Sequence, residues 1–162
     1  MEQITVYREP GRYAIMPASL RLSRSRILCA MRCCQRPSEF TAARHWIDLY
    51  ASDDDGRTWG YVTRPVADTG SGGNPPTLTR LQDGRLCMTY GFRGQPFGIR
   101  ARLSPDEGLT WGDEIILRHD GGSHDLGYPR TVQRPDATLV TVYYFNDRLA
   151  GEAYIAATLW RP

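Results

Sequence analysis

The sequence is poor in the features that mark several protein classes. Its 162 residues include four cysteines, at 29, 33, 34 and 87. No second Cys or His pair stands at zinc-like spacing from the adjacent Cys33 and Cys34, and neighbours in sequence rarely form a disulfide, so neither a metal site nor a disulfide framework is expected. Cys29 and Cys87 lie in apolar stretches (ILCAM and RLCMTY), where a reduced thiol behaves as a small hydrophobe. No segment is long and apolar enough to span a bilayer. Near Met1 the charges of Glu2, Arg8, Glu9 and Arg12 interrupt any signal-like run, and a cytoplasmic location is expected. An excess of one charge is also missing. Lys and Arg total 20 against 18 Asp and Glu, a net charge of +2, with no basic block to neutralise phosphates, so no nucleic-acid partner is expected. No cofactor is called for.

Repetition is what the sequence does contain. The pattern Ser-x-Asp-x-Gly-x-Thr-Trp occurs at Ser52 to Trp59 (SDDDGRTW) and again at Ser104 to Trp111 (SPDEGLTW), beginning 52 residues apart. Ser and Asp oxygens bond nearby backbone N–H groups in a tight turn, and Gly tolerates positive φ there. The Trp anchors the turn in a sheet. Structural roles are therefore expected for Ser52, Asp54, Gly56, Trp59, Ser104, Asp106, Gly108 and Trp111.

A second element keeps the same frame. Pro76 to Cys87 reads as strand, Asp-Gly turn, strand. Pro17 to Leu28 and Pro129 to Val140 match it, with Ser25 and Ala137 where Gly84 stands. A repeat of this length is what the four-stranded blades of a β-propeller produce. With 16 Gly, 11 Pro and 41% hydrophobic residues, the chain reads as one globular domain with a real core.

The expected class is all-β. The first blade reads Ala18 to Leu22, Ile27 to Arg32, Trp46 to Ser52 and Gly60 to Arg64, with a longer loop around Cys34 to His45. The second reads Thr77 to Leu81, Leu86 to Phe92, Gly98 to Leu103 and Asp113 to Arg118. The third reads Arg130 to Arg134, Leu139 to Phe145 and Ala153 to Trp160, with no fourth strand. Ile4 to Arg8 resembles Ile115 to Arg118 and reads as an unpaired outer strand. The whole is one half-propeller domain over 1–162: an outer strand in 1–10 and blades at 11–66, 67–120 and 121–162.

Three blades cannot close a ring, since propellers need about four to eight. A homodimer is expected in which each N-terminal strand completes the partner's third blade and removes open sheet edges.

The repeated Ser-x-Asp-x-Gly-x-Thr-Trp turns are the Asp-box, and by them the chain resembles the sialidase-like Asp-box propellers, which have six blades. The resemblance implies that this chain corresponds to the C-terminal half of such a ring, with Asp-boxes on the outer rim and function at the axis. It also implies a Tyr nucleophile helped by a Glu, an Asp acid/base and three Arg that clamp a substrate carboxylate bidentately. Gly127-Tyr128-Pro129 is similar to the step carrying the nucleophile, making Tyr128 the leading catalytic candidate, with Asp125 beside it. Arg93 lies near the place of one family Arg, and Arg32, Arg36 or Arg44 near another. Ala14-Ile15-Met16-Pro17 lacks the Arg found at that position in the family, and no activating Glu stands at Met16 to Ser19. Around the expected axis, Arg130, Arg93, His124, Asn74 and Arg12 are ligand-binding candidates. A plain structural alternative pairs Arg130 with Asp125.

Three functions follow as expectations. The first is a self-associating half-propeller that binds a carbohydrate or anionic small molecule with an incomplete catalytic set. The others are an active exo-glycosidase of sialidase type and a purely structural self-assembling module.

Overall fold

The computed structural model describes residues 1–35, 44–149 and 151–162. Among them the secondary structure is eleven β-strands in three antiparallel sheets. The first sheet runs β1 (Arg12–Arg21), β2 (Ile27–Gln35), β3 (His45–Ser52) and β4 (Gly60–Val66) in sequence order. The second runs β5 (Thr77–Arg80), β6 (Leu86–Phe92), β7 (Gly98–Ser104) and β8 (Ile115–Arg118). The third holds β9 (Gly127–Gln133), β10 (Leu139–Phe145) and β11 (Tyr154–Trp160). Each sheet is a meander, because short polar turns can join only neighbouring antiparallel strands.

The turns explain the sheet boundaries. Ser52 Oγ accepts the Gly56 N–H at 2.8 Å, while Asp54 accepts the Thr58 N–H at 2.8 Å and the Thr58 hydroxyl at 2.6 Å. Ser104, Gly108, Asp106 and Thr110 repeat these bonds at 2.8, 2.8 and 2.5 Å. Trp59 and Trp111 each donate their indole N–H at 3.0 Å, to the carbonyls of Gly56 and Gly108. Gly56 and Gly108 both have φ of 92°, which any Cβ would oppose. The hydrogen bonds hold the Asp54 and Asp106 carboxyls below the usual carboxylate range, with the Thr hydroxyl the largest cause in each.

Between the first two sheets the core is apolar: Leu28, Ile47 and Leu49 meet Leu78, Leu86, Met88 and Tyr90. Side chains of this size contribute about 1.5–3 kcal/mol each when fully buried. The second and third sheets are joined by polar contacts at matching repeat positions. Thr77 donates to the Pro129 carbonyl at 2.7 Å and Thr79 to the Thr131 carbonyl at 3.0 Å, both across 52 residues. Thr89, Thr131 and Thr141 link hydroxyls at 3.0 Å in the buried space between them.

Several boundaries differ from expectation: β2 and β4 run on to Gln35 and Val66, and β9 begins already at Gly127. Strand β1 begins at Arg12 rather than Ala18, because pairing with β2 continues past a register shift between Ile15 and Ala18. Residues 1–10, expected to contain a strand, form none in the single chain. A strand needs a ladder partner, and here Val6 and Tyr7 instead lay side chains on Cys29, Met31 and their neighbours. All four cysteines are free and buried. No helix among the described residues is long and apolar enough to cross a membrane.

Candidate functional site

Met16 within β1, Asn74 just before β5 and Tyr128 at the start of β9 come together at one end of the three sheets. Met16 and Tyr128 stand at the same place in their repeats, each immediately before a proline, and both take left-handed backbone angles, φ of 55° and 50°. The position before Pro favours extended backbone. Non-glycine residues held in the left-handed region carry strain that surrounding contacts must over-determine. At Tyr128 the restraint is visible: its N–H donates to Asn74 Oδ1 at 2.9 Å, and Asn74 Nδ2 donates to the Leu126 carbonyl at 2.9 Å. The middle repeat carries Pro75-Pro76 at this place.

Asn74 is fully buried, and two glycines make room for it. A Cβ at Gly91 would stand 2.9 Å from the Asn74 side chain, and one at Gly127 only 2.3 Å. Asn74 therefore positions Tyr128 through its backbone.

Arginines from the first two sheets approach this mouth. Arg32, at the end of β2 and 1% exposed, donates to the carbonyls of Gly72 and Gly73 at 3.0 Å. Burial holds its guanidinium below the ordinary arginine value, and the neighbouring Arg93 charge pushes the same way. Arg93 donates to the Tyr144 hydroxyl at 2.8 Å and to the Leu126 carbonyl at 3.3 Å. Tyr144 in turn donates to Asp125 Oδ1 at 2.8 Å. Burial, then the Asp125 bond, pushes the Tyr144 phenol up to about 12, so it remains a proton donor at neutral pH. The rings of Tyr128 and Tyr144 lie 5.7 Å apart, and Tyr128 is 44% exposed. The result is an accessible aromatic face beside an Arg-Tyr-Asp chain.

Several expected residues stand elsewhere. Arg130 donates to Thr77 Oγ1 at 2.7 Å on β5, while Asp125 takes its hydrogen bond from Tyr144, so the expected Arg130–Asp125 pair gives way to these partners. His124 is exposed, and its carbonyl accepts the Leu126 N–H at 3.0 Å. Arg12 pairs with Glu9 at 3.1 Å and approaches the Trp46 ring, on the face of the first sheet opposite Arg32. Arg44 is exposed and pairs with Asp68 at 3.1 Å. Arg36 lies outside the described residues. Of the two first-blade candidates among the described residues, Arg32 is the one brought to Arg93. Tyr144 was not singled out from the sequence, although it occupies the place of Arg32 and Gly91 in the repeat and could have been found by aligning the β2, β6 and β10 segments.

The fold is a β-propeller type shared with glycoside hydrolases. Among solved structures, the chain is similar to a Dyadobacter fermentans protein described as of unknown function: 28% identity, 95% of this chain and 40% of that one, TM-score 0.76. It is also similar to Penicillium chrysogenum α-L-arabinanase complexed with arabinobiose, at 18% identity over 96% of this chain and 53% of that one, TM-score 0.62. A Fusarium graminearum α-L-arabinofuranosidase of family GH93, also with arabinobiose, matches at 20% identity over 91% and 45%, TM-score 0.57. The last two likenesses concern fold alone. The chain spans 40 to 53% of the length of these three structures. No protein-family model and no curated protein matches the sequence.

Proposed function

We propose that this chain is a sialidase-like, self-associating half-propeller that binds a carbohydrate or a small anionic molecule at the mouth formed by Tyr128, Tyr144, Arg93 and Asp125. The observation that carries this reading is the Arg93–Tyr144–Asp125 hydrogen-bond chain beside the exposed Tyr128 ring. An aromatic face suits the apolar side of a sugar ring, and a few convergent polar groups fix its orientation. Arg93, with the buried Arg32 charge next to it, supplies positive charge beside the carboxylate of Asp125, which favours a ligand with a negative group such as a uronate or sialate. The catalytic set is incomplete in this reading. Hydrolysis by paired groups needs an acid and a second carboxylate or an activated nucleophile. Asp125 is the carboxylate that hydrogen-bonds Tyr144, and the raised Tyr144 phenol is a poor nucleophile at neutral pH. The reading includes a cytoplasmic setting, which suits four buried free thiols.

An exo-glycosidase is the second reading, favoured by the hydrolase folds that the chain matches. Saturation-transfer NMR and calorimetry with N-acetylneuraminate, glucuronate and arabinobiose test the first. Binding of a charged sugar that is lost in Tyr128→Ala and weakened about tenfold or more in Arg93→Ala supports it, since a charge-assisted bond is worth roughly 1.5–3 kcal/mol. No binding by any of the three probes overturns it. Release of a fluorogenic sialoside or arabinoside that vanishes in Tyr128→Phe establishes the second reading instead.

A further inference from the structure

The repeat exposes a surface that has lost its partner. On the first sheet, Leu28 and Ala30 of β2 with Ile47 and Leu49 of β3 form a face that is 0% exposed, covered by Leu86, Met88 and Tyr90 of the second sheet. In the third sheet Val140 and Val142 of β10 take the places of Leu28 and Ala30, and Ile155, Ala157 and Leu159 of β11 take those of Ile47, Leu49 and Ala51. The cross-strand pairs correspond, Ala30 with Leu49 and Val142 with Ala157, Leu28 with Ala51 and Val140 with Leu159. There the face is open: Val142 is 40% exposed, Ile155 73% and Leu159 60%. Val132 on β9 adds another 61% exposed apolar residue beside Val140.

The face that would cover it is also present. Leu86, Met88 and Tyr90 correspond in the repeat to Ile27, Cys29 and Met31 of the first sheet. On the second sheet this kind of face is partly covered by the outer strand of the sheet before it, through Val62 and Val66 of β4. On the first sheet the N-terminal segment takes that place: Val6 and Tyr7 pack against Cys29, Met31 and Cys33, and the Tyr7 and Tyr50 rings lie 5.4 Å apart. The segment thus sits where the outer strand of a preceding blade belongs. It has no ladder partner of its own, and one edge of β11 is unpaired.

From this complementarity we infer that the third sheet docks on the first sheet of a second copy of this chain, with the partner's residues 4–8 pairing along the free edge of β11. Two such contacts close a ring of six sheets. Burying the apolar patch and ending two open edges supply the driving force. A two-fold arrangement makes each copy both donor and acceptor, so the assembly stops at two. This deepens the self-association in the function proposed above and stands apart from the identity of any ligand.

Multi-angle light scattering and small-angle X-ray scattering on the intact chain test it, together with the double variant Ile155→Asp/Leu159→Asp. Both positions are exposed in the single chain, so the variant retains its fold, which circular dichroism checks. The expected result is a two-chain mass persisting from millimolar to micromolar concentration, a closed ring-like envelope, and a single-chain mass for the variant. Amides of residues 4–8 are expected to be protected from exchange in the intact chain and to lose protection in the variant. A single-chain mass for the intact protein overturns the inference, as does an open series of larger assemblies, or a variant that stays two-chain with residues 4–8 protected. Sugar binding by a single-chain protein would leave the ligand reading standing while removing this one.

Discussion

The side-chain carbonyl of Asn74 accepts the backbone N–H of Tyr128 at 2.9 Å, joining residues 54 positions apart on the lead-ins of two neighbouring sheets. The other end of the same amide donates to Leu126, so one buried side chain holds both flanks of the turn that presents Tyr128. Strain at Tyr128 is thereby offset by hydrogen bonding that neither sheet could supply alone.

Asn74→Ala is therefore expected to cost about 2–4 kcal/mol, because it leaves the Tyr128 N–H and the Leu126 carbonyl without this partner. Urea denaturation measures the loss. Asn74→Asp keeps the acceptor but sets a buried carboxylate against the Leu126 carbonyl, so at neutral pH it is expected to cost at least as much as Asn74→Ala. Equal stability of Asn74→Ala and the parent chain would show that the bridge does not restrain the turn.

The Ser-x-Asp-x-Gly-x-Thr-Trp turns are expected to act on stability alone. Ser52 and Ser104 are buried, and each accepts a glycine N–H at 2.8 Å. Replacing either by Ala should cost about 1–3 kcal/mol, the penalty of an unsatisfied buried donor. Ligand affinity at the Tyr128 mouth should not change; a variant that lost binding at full stability would assign these turns to the site.

Acid should weaken the same turns. Asp54 and Asp106 have carboxyls held below their unfolded value, so the folded state favours their charged forms. Their contribution is fully present above the ordinary carboxylate pKa of about 4 and is lost as pH falls through the lower folded value. Thr58→Val and Thr110→Val remove the largest cause of each shift. NMR titration should show both carboxyls moving up toward ordinary values, with a shallower acid limb in denaturation. Unchanged titration would contradict the hydrogen-bond origin of the shift. At the alkaline end the sign reverses: Tyr144 is raised to about 12, so its contribution is present below pH 10 and declines as pH rises toward that value.

Ala137 offers a stabilising change. It has φ of 65° in the turn between β9 and β10, where the equivalent Gly84 has φ of 89°. A Cβ in this region costs about 1–2 kcal/mol, partly balanced by the greater freedom of an unfolded glycine, so Ala137→Gly should raise stability by about 0.5–1 kcal/mol. A lower melting temperature in this variant would show that the turn tolerates its alanine without strain.

Legibility in the sequence followed the range of the interactions. The spacing of 52 residues, the Asp-Gly turn and the two Ser-x-Asp-x-Gly-x-Thr-Trp segments are local signals, and eleven strands stand close to where they placed them. Tyr128 and Arg93 were visible as candidates through the resemblance of their segments to the sialidase-like propellers. The Tyr144 link was not, since a tyrosine in an alternating apolar strand looks like core. Arg32 could not be separated from Arg36 and Arg44, because all three stand near one another in the sequence of the first blade.

What the sequence determined by itself was the repeat: alternating apolar residues, turn residues at a constant offset, and hence all-β sheets of one size. These depend on backbone geometry and on neighbours a few residues away. The tertiary structure decided which polar groups meet. Arg93 reaches Tyr144 across 51 residues, and Asn74 reaches Tyr128 across 54. Such pairs depend on how one sheet is stacked on the next, and that stacking is a property of packed faces rather than of any local run. It also decided the conformation of residues 1–10. Residues 4–8 read as a strand, but a strand forms only where another offers its edge, and within one chain that segment rests on the first sheet through the side chains of Val6 and Tyr7.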